Sequence, residues 1–481
     1  MVFSRGTVVR SFLWKLFERL STQLIQFLIT IVLARLLLPS EYGIIALVTI
    51  FISLSDVIID GGLNTALIQK KNADNVDFST ILYFSLGMAI VMYAIMFFSA
   101  PAIARFYQQQ QLVPIIRVLS ISLFFYAFNS IQRAYVSKNM MFKRLFYSSF
   151  GAVFISGCIG VIMAYHKCGV WALVAQNLSN QLVIMIIMWF TVRWRPVFVF
   201  SYSHFKGLFN YGWKIMGANL IISIFVNARK IVIGKLFAPA SLAYYEKGEQ
   251  LPSLVMNNIF TSVQAVLFPT FSEAQNDRQR VKSLVRRSTK MNCFFIYPLM
   301  AFMIVSAKPL VLLLLTEKWL PAVEFVQILC IANFFRPITI SNWQAIMALG
   351  YSSITLKLEI VKKIVDIVIL TISVLFGVYA IAWGCVLFNF ICVFINLAPN
   401  KRLLNYGIYE QVTDAIPTLL IALAMGIAVY WIQFISIPNY SVLVLQFVFG
   451  IIIYIGFSWI FKEESFIYLL QALKSYTSPN K

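Results

Sequence analysis

The sequence predicts an all-α polytopic membrane protein of about fourteen transmembrane helices, in two lobes of about six helices each related by internal duplication, plus two C-terminal helices. Three observations predict it. Hydrophobic residues make up 60% of the chain and charged residues 12%, more apolar surface than an aqueous exterior of this size can hide. Stretches of roughly 20 mostly apolar residues, the length that crosses a hydrocarbon core, recur along the whole chain between short polar turns. The chain also resembles itself at an interval of about 200 residues.

Apolar runs and their breakers place spans near 11–37, 42–61, 78–103, 112–136, 147–166, 170–191 and 208–236. Further spans fall near 243–268, 289–315, 322–348, 356–378, 380–399, 413–434 and 440–461. Proline punctuates them: Leu38-Pro39-Ser40 closes the first span, Ala238-Pro239-Ala240 the seventh, and Ile437-Pro438-Asn439 separates the last two. The opening Met1 to Arg10 imitates a signal peptide, but the apolar run after it carries Glu18 and Arg19 and reaches Leu38 with no small-x-small site, so a retained first span is expected. The longest connections, 192–207 and 269–288, are basic. His166 and His204 fall in loops, and no large loop lies on the opposite side.

The formal charge of +21 would suggest nucleic acid in a soluble protein. Here most of the 39 Lys and Arg sit on the side that carries the N-terminus, the positive-inside asymmetry. That excludes a nucleic-acid partner, makes membrane lipid the surroundings, and puts both termini, with Lys462, Lys474 and Lys481, in the cytoplasm. The six cysteines lack C-x-x-C spacing, so neither a disulfide frame nor a metal centre is expected, and no cofactor motif is found.

The internal repeat is the most informative feature. Trp14-Lys15, Ala34 to Pro39 and Tyr42 reappear as Trp213-Lys214, Gly234 to Pro239 and Tyr244; Gly169-Val170-Trp171-Ala172-Leu173 is echoed by Gly377-Val378-Tyr379-Ala380-Ile381. The expected domains are an N-terminal lobe over 1–200, a second lobe over 201–405, and 406–481 as two appended helices with a tail. A repeat of an even number of spans keeps its orientation, and two such bundles can rock about a midplane site.

The stretch Ala34-Arg35-Leu36-Leu37-Leu38-Pro39-Ser40-Glu41-Tyr42-Gly43 resembles the N-terminal signature of bacterial polysaccharide exporters, as do Asp60-Gly61-Gly62-Leu63 and Ala66-Leu67-Ile68-Gln69-Lys70. Val266-Leu267-Phe268-Pro269, Glu317-Lys318-Trp319 and Gln327-Ile328-Leu329-Cys330 agree. The chain thus resembles the Wzx-type flippases of the MATE-like multidrug/oligosaccharidyl-lipid/polysaccharide exporter superfamily, nearest the colanic-acid exporter branch. The resemblance implies a cavity between two lobes in the bacterial inner membrane. It further implies carriage of an undecaprenyl-diphosphate-linked oligosaccharide, a polyprenyl diphosphate, toward the periplasm, alongside the polysaccharide polymerase machinery.

Charges inside the spans are the candidate site residues, because each costs about 2.5–3.5 kcal/mol at a helix centre and so faces a bundle interior or a wet cavity. Arg19, Arg133, Arg229, Lys230, Lys247 and Arg336 are expected to bind substrate, since a lipid diphosphate offers the acceptor oxygens that a guanidinium fork grips bidentately. The bland reading is snorkelling to an interface or pairing with an acid. Glu18, Asp56, Asp60 and Glu249 are candidates for proton or sodium coupling, with Asp60 equally fit to cap its helix beside Gly61-Gly62. Lys15, Lys206 and Lys214 read as topology determinants, and Arg35 and Lys235 share a fold role at matching ends of the halves. Glu359 with Lys363 and Lys362 with Asp366 read as structural pairs. Trp171, Trp194, Trp319 and Trp431 read as interfacial anchors.

Two other functions compete. A MATE-like drug or cation antiporter would want a cavity dominated by carboxylates, and this interior is more basic than acidic. A membrane enzyme of the O-antigen polymerase or ligase type would want a large periplasmic loop, and no nucleophile and base pair is found. A scaffold for glycan assembly is the third. The chain is read as a transporter and not an enzyme.

Overall fold

Proline has no N–H to give a preceding turn, so Pro39 suits the first position of a helix and stops the one before it. In the computed structural model, which describes residues 5–435 and 437–477, α1 (Arg5–Leu36) ends just short of it and α2 (Pro39–Asp60) begins on it. The Leu38 N–H donates to Glu41 Oε2 at 2.7 Å and closes that turn. Met1–Ser4 and Lys481 lie outside the described residues, as do the side chains of Arg5 to Phe12, Lys474, and Val266, Phe268 and Pro269 of the exporter-like motif.

The Gly61-Gly62 turn leads to the short α3 (Leu63–Gln69), and α4 (Asn75–Tyr107) follows a reciprocal cap: Asp74 Oδ1 accepts from Asp77 N–H at 2.8 Å, and Asp77 Oδ2 from Asp74 N–H at 3.1 Å. Then come α5 (Leu112–Leu119), α6 (Ser122–Lys138), α7 (Phe142–Tyr165), α8 (Val170–Thr191) and α9 (Tyr202–Leu236). The second proline break starts α10 (Pro239–Glu273). It is followed by α11 (Arg278–Val305), α12 (Ala307–Leu314), α13 (Ala322–Asn333), α14 (Arg336–Ala348) and α15 (Ser352–Val374). The chain finishes with α16 (Val378–Leu404), α17 (Ile408–Tyr430), α18 (Asn439–Ile460) and α19 (Glu464–Thr477). Among the described residues there is no strand.

Among the described residues, eleven segments are long and apolar enough to cross a membrane, and α13 with α14, bent by 41°, adds a twelfth if the pair is one span. α10 and α15 stand where the eighth and eleventh spans were expected and are not among them; α15 carries five charged residues between Lys357 and Asp366. The expected fourteen is reached only if both also cross.

By contact the chain divides into two compact units, Met1–Ala243 and Tyr244–Lys481. In the first, α2 packs on α4, α6 and α9, and α7 on α1 and α8. In the second, α11 packs on α13, α14 and α17, and α16 on α13, α14 and α15. The division falls well after residue 200 because α9 packs against α2, α3 and α4. Residues 406–481 form no separate appendage by contact, since α17 and α18 pack into the second unit.

Several elements differ from the sequence expectation. The 269–288 connection is mostly helix: α10 and α11 run to Glu273 and from Arg278, because Phe271, Ala274, Val281 and Val285 bury against Ala345, Leu404 and Tyr406. The span expected over 322–348 is broken at Phe334-Phe335, with Pro337 in the first turn of α14. Trp194 and Trp319 are core residues, 4% and 0% exposed, and Trp194 packs on Phe78 and Tyr135; only Trp171 and Trp431 are exposed as interfacial anchors would be. On α15, where Glu359 with Lys363 and Lys362 with Asp366 were expected, Lys362 pairs with Glu359. Lys235 lies over the Phe106 ring at 4.3 Å.

Two glycines let α2 meet its neighbours backbone to backbone. A Cβ on Gly43 would fall 1.8 Å from Pro239 O, and one on Gly62 2.3 Å from Gly212 O. Gly43 thus lets α2 lie directly on the Pro239 backbone. Gly43→Leu or Gly62→Leu should each destabilise by about 1–3 kcal/mol through overpacking, read as a lower unfolding midpoint of the purified protein in detergent. Gly87→Leu, where nothing lies within 4 Å of the new Cβ, should leave that midpoint unchanged.

Candidate functional site

A charge that cannot reach water must meet a partner, so polar side chains within spans gather where helices touch. In the first unit that seam is α2 against α6. Asp56 and Asp60 are one turn apart on α2, and Tyr126 and Arg133 two turns apart on α6, so each pair lies on one face of its helix. The charges of Arg133 and Asp60 act on Asp56, and all three act on Tyr126, so the four side chains share one polar patch. Arg133 is exposed; the other three are half-buried. Asp56 Oδ1 is buried without a hydrogen-bond partner, an acceptor site left open within the patch. Asp60 accepts from the Asn64 side-chain amide and the Gly62 N–H, and so closes the Gly61-Gly62 turn.

The remaining expected residues of this unit lie on other helices. Arg229 and Lys230 are half-buried on α9, which packs on α2. Arg19 is half-buried on α1, whose main neighbour is α7. Glu18 is joined to Lys15 at 2.9 Å. Arg117 is turned to α4, with its guanidinium 4.2 Å from the Phe97 ring.

In the second unit the charges gather at the broken span. Arg336 occupies the first turn of α14, where the helix dipole is already positive, and the charge of Glu249 on α10 offsets it. Arg336 donates to Asn333 Oδ1 at 3.3 Å, across the break. Lys247 donates to Gln250 Oε1 at 3.2 Å and feels the charge of Glu246. A broken span can present a charge at membrane depth because the freed backbone groups find partners in neighbouring protein.

Other groups were not foreseen. Tyr126 and Asn64 carried a faint signal, at seven and four residues from Arg133 and Asp60. Gln132 carried none: it is buried, and both its amide atoms lack partners. His204 is not a loop residue but lies in the first turn of α9, where Nδ1 meets Asp77 Oδ1 at 2.8 Å; Lys70 meets the same fully buried carboxylate at 2.7 Å. Asp74, Asp77 and His204 bring ligand atoms within 4.8 Å of one another. The Lys70 ammonium already supplies the positive charge there, so the trio reads as a clamp on the 192–201 linker, whose Val197 and Ser201 N–H groups donate to Ser79 and Thr80.

Residues 32–324, more than half of the chain, match the family described as polysaccharide biosynthesis protein. The chain belongs to that family. The matched region begins at the Ala34 to Gly43 signature and takes in both proline breaks. The succinoglycan biosynthesis transport protein ExoT of Rhizobium meliloti (strain 1021) is 23% identical over 313 residues, which are 65% of this chain and 63% of ExoT, less than two thirds of that relative's length. The lipopolysaccharide biosynthesis protein WzxC of Escherichia coli (strain K12) is 21% identical over 410 residues, 82% of this chain and 83% of WzxC. The fold is similar to that of the lipid II flippase MurJ in an inward closed conformation, with a TM-score of 0.75 at 15% identity over 94% of this chain and 99% of MurJ. The Wzx-type resemblance read from the motifs therefore stands on family and fold.

If Arg133 offsets the carboxylates of α2, removing it alone should cost stability that a second change recovers. Arg133→Gln should destabilise by about 1–3 kcal/mol, and Asp56→Asn added to it should restore most of the loss. Thermal unfolding of the four members of that cycle measures the coupling; strictly additive effects would separate the two residues.

Proposed function

We propose that this polysaccharide-biosynthesis-family protein flips an undecaprenyl-diphosphate-linked oligosaccharide across the bacterial inner membrane by alternating access, for cell-surface polysaccharide assembly. The observation that carries the reading is the family match joined to guanidiniums within the apolar helices, Arg133 on α6, which packs on α2, and Arg336 at the break between α13 and α14. A diphosphate crossing hydrocarbon needs fixed positive charge and hydrogen-bond donors in place of water, and Arg supplies both. Arg19, Arg229, Lys230 and Lys247 are the further cations assigned to the substrate.

Asp56, Asp60, Glu18 and Glu249 are the carboxylates through which a proton or sodium gradient would drive the cycle. Of these Asp56 suits it best, with one oxygen buried and unbonded; Asp60 and Glu18 already hold partners. The positive-inside distribution supports a cytoplasmic placement of both termini, and in this reading the polymerase that consumes the repeat units acts on the far side. A drug antiporter fits less well, because cations outnumber carboxylates within the spans.

Deleting the gene in its host should make lipid-linked repeat units accumulate in the cytoplasmic leaflet. The unaltered gene should clear them, and Arg133→Ala or Arg336→Ala, at normal membrane levels, should not. If no lipid-linked intermediate builds up in the deletion strain, the substrate assignment falls.

A further inference from the structure

The start of α11 gathers more positive charge than its carboxylates offset. Arg278, Lys282, Arg286 and Arg402 line a cleft of 570 Å³ with Glu410 as the one acid. A second cleft of 330 Å³ shares Ser283 and Arg286 with the first and adds Arg287 and Lys290, bounded by Glu464 and Tyr468 of α19. Three of these cations are matched by acids: Lys282 to Glu410 at 3.0 Å, Arg286 to Asp414 at 2.7 Å, and Lys290 to Glu464 at 2.6 Å. The other three carry the surplus. Among the described residues Arg278 donates only to neutral oxygens, Leu403 O at 3.2 Å and Tyr351 Oη at 3.4 Å; the Arg287 guanidinium lies 3.3 Å from the Tyr468 ring; and Arg402 is exposed.

The frame beneath is fixed. Asp414 also accepts from Tyr406 Oη at 2.8 Å and is joined by Lys290 at 3.2 Å. Burial, and then the Asp414 carboxylate, push the Tyr406 hydroxyl well above its ordinary range, so it stays protonated and donates. The surplus cations therefore stand on a rigid base.

Their depth is informative. The clefts lie at the ends of α11 and α17, where the apolar lengths of those two spans begin, which is the level of lipid phosphates. On its other side α19 borders a groove of 390 Å³ lined almost wholly by carbon, with Phe295 and Leu299 of α11, Phe447 and Ile451 of α18, and Phe466 and Leu470 of α19. One helix thus has a basic cleft on one flank and an apolar groove on the other.

We propose that the clefts and the groove form a site for one anionic phospholipid, its phosphate between Arg287 and the Arg278–Arg402 side of the cleft and an acyl chain along α11 and α18. The chemistry recognised is a phosphodiester monoanion with no ammonium of its own headgroup to offset it, the net negative charge that phosphatidylethanolamine lacks; the groove assigns it to a lipid rather than to a free phosphate, because only a lipid occupies both. The proposal needs α11, α17 and α18 to be spans and does not depend on what is transported.

The test is native mass spectrometry of the purified full chain in detergent, after incubation with dioleoylphosphatidylglycerol, dioleoylphosphatidylethanolamine or inorganic pyrophosphate. One phosphatidylglycerol should be retained at least about tenfold more than phosphatidylethanolamine, and pyrophosphate should not displace it. Arg287→Gln with Arg402→Gln, neither of which has a carboxylate partner, should lower retention at least about tenfold, and Leu299→Trp, which fills the groove, should lower it with both arginines intact. Lys71→Gln, in the other unit, should not. Equal retention of the two lipids, displacement by pyrophosphate, or undiminished retention in the double arginine variant or in Leu299→Trp, with unfolding midpoints at the wild-type value, would overturn the proposal.

Discussion

A charged side chain at the centre of a membrane helix costs about 2.5–3.5 kcal/mol unless its surroundings offset it, and this chain offsets the cost at seams between helices. Asp56 and Arg133 lie on α2 and α6, which pack together; Glu249 and Arg336 lie on α10 and α14 of the other unit. In each unit the charge of one of these residues acts on the other. That arrangement ties helix packing to polarity: α2 and α6 must meet for Asp56 to be tolerable, and once they meet a polar patch exists within the span.

The seams also explain why the broken span matters. A continuous helix over 322–348 would bury the backbone at its midpoint and leave Arg336 projecting from a regular surface. Breaking it at Phe334-Phe335 puts Arg336 at a helix start, where its charge adds to the dipole and Asn333 holds it in place. In the first unit the corresponding device is the close approach at Gly43 and Gly62, which brings α2 hard against Pro239 and Gly212.

Most of the fold was legible in the sequence because lipid as solvent makes hydropathy decisive. Pro39 and Pro239 open new helices just after the preceding ones stop, and Pro438 caps the start of α18, at the breaks where they were expected. Gly169 and Gly377, matched in the repeat, both precede a helix with positive φ. What hydropathy could not show was how far helices run past the membrane: α10 and α11 extend because Phe271, Val281 and Val285 find a core, a tertiary fact that no local pattern announces. Trp194 and Trp319 illustrate the same limit, since an aromatic near a span end looks alike whether it meets headgroups or a packed core. The site was legible as a set of charges and not as contacts. Asp56 and Arg133 are far apart in sequence, and the His204–Asp77 clamp joins residues more distant still.

The central claim, that guanidiniums held at helix seams carry a diphosphate through the membrane, is tested most directly in liposomes containing only the purified protein and an undecaprenyl-diphosphate oligosaccharide, with lectin access to the outer leaflet as the readout. Wild type should expose the saccharide at least about tenfold faster than protein-free vesicles, and Arg133→Gln and Arg336→Gln, folded and inserted, should lose most of that rate, as removal of a charge-assisted contact requires. Full rates in both variants, or wild-type vesicles no faster than empty ones, would contradict it.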